Sequence, residues 1–301
     1  MTLLGESKSP ELRRRNALRE AFSGYVFVAP FVILAAVFML YPMIKGIYNS
    51  FFDFRFGGTK YVGLKNYIKE FTNKTYLLSI RNTLLLVATV VPLLIVFGIG
   101  ISGSIFDKAR RYTSFVRICL YLPVIASAAV LYIIWLFMLD SQSGLLRYFY
   151  DCIGMMPFNL LGDKLWATII VIFVLFTMNL GQCVVLYTAA MMGIPHEMIE
   201  ALELDGGNRW ALFRYILIPQ CRPTTLLIFV TQTSAVMRVF VLIQLLTNGG
   251  PNKATTSMMY LLYQEGFANG NFGAASALGI VMFLFSVILV LIQFRTVRPV
   301  N

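Results

Sequence analysis

The sequence predicts an all-α membrane protein with about six transmembrane helices, and two observations lead to this fold class. The chain of 301 residues is 58% hydrophobic and only 13% charged, whereas soluble domains are nearer to half apolar and a quarter charged. The hydrophobic residues also gather in runs of roughly 20 residues or more, the length that crosses the hydrocarbon layer of a bilayer. Because lipid cannot hydrogen-bond backbone N–H and C=O groups, each run must be helical.

Six runs are long enough to span a membrane. They lie near Tyr25–Tyr48, Ser79–Ser104, Tyr112–Leu139, Leu165–Met192, Pro219–Leu246 and Ala274–Phe294. The polar and basic lead before the first run is too long for a normal signal peptide. We therefore divide the chain into a basic cytoplasmic tail at residues 1–24 and a transmembrane domain at residues 25–301.

The orientation follows from the basic residues, because short cytoplasmic loops are enriched in Lys and Arg. One side of the predicted helices receives Arg13, Arg14, Arg15, Arg19, Lys108, Arg110, Arg111, Arg209, Arg214, Arg295 and Arg298. The opposite side is less clean, since its first loop holds Lys60, Lys65, Lys69 and Lys74. Both termini are expected in the cytoplasm. Membrane topology thus accounts for the charge of +11 without nucleic-acid binding, and anionic lipid headgroups are an expected contact.

A polar stretch, "EALELDGGNRWALFRYILIP" at Glu200–Pro219, separates the fourth and fifth runs. Pro195 suits the first position of a helix, Glu197 suits its positive end, and Gly206 suits a left-handed ending. The sequence predicts a helix at about residues 195–206, a glycine corner and a second helix that leads into the fifth span. The interleaved polar and apolar residues indicate a helix held by protein on several sides. An amphipathic helix resting on lipid headgroups is the alternative.

Seven positions of this stretch match the EAA motif of permease subunits in binding-protein-dependent ABC importers. They are Glu200, Ala201, Asp205, Gly206, Phe213, Ile216 and Pro219. The chain departs from the motif at Leu202 and Gly207, where the family has alanine. The segments "YVGLKNY", "RNTLLL", "FVLIQLLTNGGP" and "FGAASALG" resemble the maltose-type carbohydrate subfamily. The resemblance covers nearly the whole chain from about Tyr25 onward.

The resemblance implies a type I ABC importer permease fold in a multi-pass protein of the bacterial cell membrane. It implies four kinds of partner: a second, different permease subunit, two ATPase subunits, an extracytoplasmic sugar-binding protein and membrane lipid. In this family the EAA stretch forms a coupling helix that docks in a cleft of an ATPase subunit. ATP and Mg²⁺ are bound by those ATPase subunits, so the resemblance implies no cofactor on this chain and no enzymatic activity of its own.

The residues agree with that absence of catalytic chemistry. The sequence has no GxxxxGK(S/T) phosphate loop, so we expect no nucleotide binding. Its only histidine, His196, begins "HEMIE", which lacks the second histidine of a HExxH zinc motif. We therefore expect no catalytic residue and no metal site. The predicted spans also contain no Asp or Glu, whereas ion-coupled carriers usually keep carboxylates in the membrane.

Four polar residues in the predicted spans are candidates for the substrate path: Asn179, Gln182, Gln232 and Arg238. Asn179 and Gln182 are three residues apart and share a helix face. The maltose-type family has its sugar site in mid-membrane, and the resemblance places Asn179, Gln182 and Gln232 at or near that site. Hydrogen bonds between helices are the alternative role for these amides. Arg238 needs an anion, which comes from the partner permease, a substrate or a lipid phosphate.

The sequence therefore predicts a subunit of an ATP-driven importer for a sugar or an oligosaccharide. Three alternatives stay open at this point. They are an importer of a polyol phosphate such as glycerol phosphate, an ion-coupled secondary sugar carrier, and a membrane scaffold without transport activity.

Overall fold

The computed structural model describes residues 10–55 and 58–296. The described part of the chain is almost entirely helical. In its first half the α-helices are α1 (Pro10–Ala35), α2 (Tyr41–Asn49), α3 (Lys65–Thr72), α4 (Lys74–Ile105), α5 (Arg110–Ile125), α6 (Ala128–Met138) and α7 (Leu145–Ile153). In its second half they are α8 (Lys164–Met192), α9 (His196–Leu204), α10 (Arg209–Ala211), α11 (Ile218–Gln220), α12 (Arg222–Met237), α13 (Met258–Tyr263) and α14 (Phe272–Thr296).

Short segments of other helical geometry complete several of these helices. The π-helical segments are Ala36–Leu40, Leu212–Leu217, Ile243–Thr247 and Gln264–Ala268. A 3-10 turn at Leu160–Gly162 precedes α8. The segment Ala36–Leu40 joins α1 to α2 without a break, so that one helix runs through the first predicted span.

Four helices are long and apolar enough to cross a membrane within the described ranges: Phe22–Asn49, Lys74–Ile105, Lys164–Met192 and Phe272–Arg295. They coincide with the first, second, fourth and sixth predicted spans. The all-α membrane class is confirmed. The count of about six is not confirmed, because the two other predicted spans are not continuous helices. The cytoplasmic position of the termini stays a prediction, and Arg298 lies outside the described residues.

The third predicted span is a bent pair of helices. α5 and α6 meet at an angle of 98°, because Ala126 and Ser127 have extended backbone between them. Pro123 lies in the last turn of α5, where its missing N–H weakens the helix. Hydropathy alone cannot detect such a bend.

The fifth predicted span is interrupted at Arg238. α12 ends at Met237, and helical structure resumes only over residues 241–247. The Ser257 hydroxyl donates to the carbonyl oxygen of Val239 at 2.8 Å. This bond satisfies one of the backbone groups that the break leaves without a helical partner, as buried backbone requires.

A small β-hairpin was not expected in the loop after the first span. β1 (Phe52–Arg55) pairs antiparallel with β2 (Gly58–Tyr61), and Phe52 lies opposite Tyr61. The alternation of Phe52 and Phe54 before a Gly-Gly pair is a hairpin signal in the sequence.

The core is built around α4. This helix packs against α8 and α12, and α5 packs on the other side of α8. Val90, Val91 and Leu94 of α4 are completely buried, as are Val174 and Val184 of α8. The tightly packed bundle gives the connecting segments a rigid support.

Candidate functional site

The predicted glycine corner is present between α9 and α10. Gly206 has a φ of +74°, the left-handed conformation that favours glycine. The N–H of Gly206 donates to the carbonyl of Glu203 at 3.0 Å, and the N–H of Gly207 donates to that of Leu202 at 2.8 Å. These bonds end α9 in the way a glycine cap does. Asn208 then caps α10, its side-chain oxygen accepting from the N–H of Ala211 at 2.9 Å.

The surface of this corner is uncovered in the isolated chain. Glu200, Ala201, Asp205 and Gly206 are all exposed, and Leu204 is 89% exposed. Among the residues of α9, only Ile199 is buried. A short helix therefore presents acidic and apolar side chains together, with a single buried side chain holding it to the body.

The segment after the corner is fixed to the end of α4. Nη2 of Arg209 donates to the carbonyl oxygen of Ser104 at 2.7 Å and to that of Phe106 at 3.4 Å. The ring of Phe213 lies against Gly103, where a Cβ atom would stand 2.5 Å from a ring carbon. Phe213 is thus an anchor. Pro219 is half-buried in α11. A displacement of the corner would be transmitted to α4 through these contacts.

A cavity of about 270 Å³ lies beside the break after α12. Asn179 and Arg238 both line it, together with the rings of Tyr132 and Phe240. The Asn179 amide donates to the carbonyl of Leu175 in its own helix at 2.8 Å. Nε of Arg238 likewise donates to its own helix, at Ser234 O and 3.1 Å. Neither side chain is used to join two helices.

The structure does not bring the other two predicted path residues into this cavity. Gln182 is exposed on α8. Gln232 is only 2% exposed, and its Oε1 atom has no hydrogen-bond partner among the described residues. Gln232 therefore lies inside the bundle one turn from Val236, which does line the cavity.

Sequence reasoning missed the aromatic lining of the cavity. Tyr132 reaches it because the bend between α5 and α6 turns α6 toward α8, and Phe240 reaches it because α12 is interrupted. The small residues from Ala126 to Ala129 after Pro123 were the available signal for that bend. Nothing in the local sequence indicates which helix the bend approaches.

Comparisons with known proteins agree with this architecture. Residues 95–299 match the family described as "Binding-protein-dependent transport system inner membrane component". The sn-glycerol-3-phosphate transport system permease protein UgpA of Agrobacterium fabrum is 30% identical over 278 residues, which cover 91% of this chain and 94% of the relative. The lactose transport system permease protein LacF of Rhizobium radiobacter is 26% identical over 291 residues, covering 94% and 97%.

A solved structure shares the fold. A chain in the crystal structure of a bacterial alginate ABC transporter, in complex with an alginate pentasaccharide-bound periplasmic protein, superposes with a TM-score of 0.84. The two chains are 22% identical, and the match covers 94% of this chain and 96% of the other. The fold is that of a type I ABC importer permease. The chain belongs to the family of binding-protein-dependent transport system inner membrane components, whose relatives named above are transport subunits of the membrane and not enzymes.

Proposed function

We propose that this chain is a membrane-spanning subunit of an ATP-driven importer for a sugar or an oligosaccharide. An extracytoplasmic binding protein delivers the cargo, a second permease subunit completes the pathway, and two ATPase subunits bind ATP and Mg²⁺. The support for a carbohydrate cargo is the lactose transport relative and the alginate transporter with the same fold. Asn179 and the flat rings of Tyr132 and Phe240 offer the amide and apolar surface that a sugar needs.

The observation that carries the ATPase coupling is the uncovered corner. Leu204 is 89% exposed between carboxylates on a helix that has one buried side chain. Exposed apolar side chains of this kind mark contact surfaces when they are grouped with other accessible motif residues. We propose that Glu200, Ala201, Asp205 and Gly206 dock in a cleft of an ATPase subunit, while Phe213 and Pro219 hold the corner to the membrane domain.

A glycine substitution tests this docking. A side chain at Gly206 would meet no atom of this chain within 4 Å, so Gly206→Trp fills only the space that the ATPase subunit would occupy. Gly154 is a matched control, because it also has a positive φ of 68° and open space around its Cβ position. Both variants carry a similar backbone strain, and they differ in the surface on which the indole projects.

The measurement is ATP-dependent uptake by the complete importer reconstituted in liposomes. We expect Gly206→Trp to abolish uptake while the chain still inserts in the membrane, and we expect Gly154→Trp to keep it. Equal uptake by the two variants would refute the docking role. An ion gradient imposed without ATP separates the ion-coupled alternative, which predicts cargo flux under that condition and a scaffold predicts under neither.

A polyol phosphate is a second candidate cargo. The observation in its favour is the arginine that lines the inner cavity, together with the glycerol phosphate transport relative. Competition of unlabelled sn-glycerol 3-phosphate and unlabelled disaccharides against uptake separates the two classes.

A further inference from the structure

A second cavity, of about 570 Å³, lies at the N-terminal ends of α4 and α8. Four cationic side chains are among its lining residues: Lys74, Arg81, Lys164 and Lys253. No aspartate or glutamate belongs to the lining in the described part of the chain. Four like charges around one cavity repel each other, and this repulsion is relieved when an anion enters. We call this cavity the outer cationic pocket.

The structure holds Lys253 against the other cations. Nδ2 of Asn82 donates to the carbonyl oxygens of Lys253 at 3.0 Å and of Thr256 at 3.1 Å. Nζ of Lys253 donates to the hydroxyl of Thr75 at 2.7 Å. Asn252 and Lys253 both have left-handed backbone, with φ values of 49° and 64°. Such a conformation is costly for non-glycine residues and is found mainly where function requires it.

Two helix ends add to the positive potential of the pocket. Lys74 is the first residue of α4 and Lys164 is the first residue of α8. The N-terminal end of a long helix carries partial positive charge. The nearest carboxylate along the chain, Asp163, already accepts the N–H groups of Leu165 and Trp166. An incoming phosphate or carboxylate would thus meet cations and helix ends together.

The outer cationic pocket and the inner cavity lie along one face of α8. Lys164, Thr168 and Val171 line the outer pocket, and Leu175 and Asn179 line the inner cavity. These positions follow each other at spacings of three or four residues, which place them on one helix face. The floor of the outer pocket is therefore one helical turn from the cavity that Asn179 and Arg238 share. A fifth cation waits at the inner end of the same stripe.

We propose that the outer cationic pocket binds the anionic group of the cargo, a phosphate or a carboxylate on a sugar or polyol, before the cargo reaches the Asn179 cavity. This inference rests on the proposed import function and names the class of its cargo. A phosphate of a lipid headgroup has the same chemistry, so the test must separate a free ligand from a lipid.

The test measures binding of sn-glycerol 3-phosphate to the assembled importer in phosphatidylcholine nanodiscs, by saturation-transfer NMR, with glycerol as the uncharged probe. The variants are Lys74→Gln and Lys253→Gln, singly and together. Lys65→Gln is the matched control, because Lys65 is an exposed cation outside the pocket lining. We expect binding of the phosphate ester to weaken by about tenfold for each pocket cation removed. Glycerol should show no binding, and Lys65→Gln should bind like the wild type.

Equal affinity of the wild type and the double variant would overturn the proposal. So would loss of glycerol phosphate binding when phosphatidylglycerol replaces phosphatidylcholine, since a lipid would then own the site. The assay contains no ATP and no binding protein. Failure of ATP-driven uptake would therefore count against the proposed function and leave the anion site standing, whereas unchanged binding in the double variant would count against the anion site alone.

Discussion

At the residue scale, the two departures from the EAA motif touch each other. The chain has Leu202 and Gly207 where the family has alanine at both positions. A Cβ atom on Gly207 would stand 2.5 Å from Cγ of Leu202 and 2.8 Å from its carbonyl oxygen. The larger side chain at one position is thus matched by the smaller residue at the other, and together they fill the corner.

This contact predicts a coupled pair of mutations. Gly207→Ala should lower the free energy of unfolding by about 1–3 kcal/mol, because the added methyl group overpacks the corner. Leu202→Ala combined with Gly207→Ala should recover part of that loss, since the side-chain clash disappears and the clash with the carbonyl oxygen stays. Thermal unfolding of the purified wild type, both single variants and the double variant gives the coupling energy. A coupling energy of zero would contradict the account.

Glu70 is a buried acid outside the spans. It is fully buried in α3, and its carboxyl oxygens make no hydrogen bond to a described residue. Burial raises the pKa of Glu70 to about 8, and neighbouring Lys69 opposes this rise. Lys69 is itself 3.6 Å from Glu265, and Tyr76 faces the same region. Glu70 is therefore mainly protonated at neutral pH.

The raised pKa predicts a pH-dependent stability with a definite sign. The folded state holds its proton more tightly than the unfolded state, so the contribution of Glu70 is complete below its ordinary pKa of 4.5 and is lost as the pH rises toward about 8. Glu70→Gln should flatten the thermal midpoint over this window, whereas Glu203→Gln on the exposed corner should leave the slope unchanged. A wild-type slope retained in Glu70→Gln would show that other groups cause it.

At the scale of elements, one buried hydrogen bond joins α12 to α14. Nε2 of Gln293 donates to the hydroxyl of Thr233 at 2.6 Å, and both side chains are buried. Thr233→Val with Gln293→Leu should show a coupling energy of about 1 kcal/mol in a double-mutant cycle. Ser286→Ala on the same helix is the control, because the Ser286 hydroxyl bonds within α14 to Met282 at 2.9 Å. Additive single effects would mean that the bond does not join the helices.

The predictability of the elements depends on how local their causes are. Four spans were predicted well because continuous apolar runs need no tertiary information. The corner at Gly206 was also predicted, since caps are local: Gly206 ends α9 and Asn208 starts the next helix. The bend before α6 and the break after Met237 depend on how helices meet. A bond such as that from Ser257 to Val239 cannot be inferred from hydropathy.

The candidate path shows the same division. Asn179 and Arg238 were named from polarity alone and do share a cavity. Gln182 and Gln232 were named by the same reasoning and lie outside it, because helix rotation and packing decide which polar side chain reaches a cavity. The roles of all four stay proposals.

At the scale of the whole molecule, the chain has the surface of a part and not of a complete machine. The apolar window of its first helix, within Phe22–Asn49, has no buried residue. The corner exposes Leu204, and the outer cationic pocket has no counter-charge among its lining residues. Lipid, a second permease, an ATPase subunit and an anionic cargo would satisfy these three surfaces, which is the composition proposed for the importer.

The most direct test of the central claim is photo-crosslinking from the corner in the assembled importer. A photoreactive amino acid replaces Leu204, and the control replaces Met156, which is 90% exposed in the segment between α7 and α8. Adducts are identified by mass spectrometry after illumination. The account predicts that position 204 crosslinks to the ATPase subunit and that position 156 does not. Adducts of position 204 with lipid alone, in an intact complex, would contradict it.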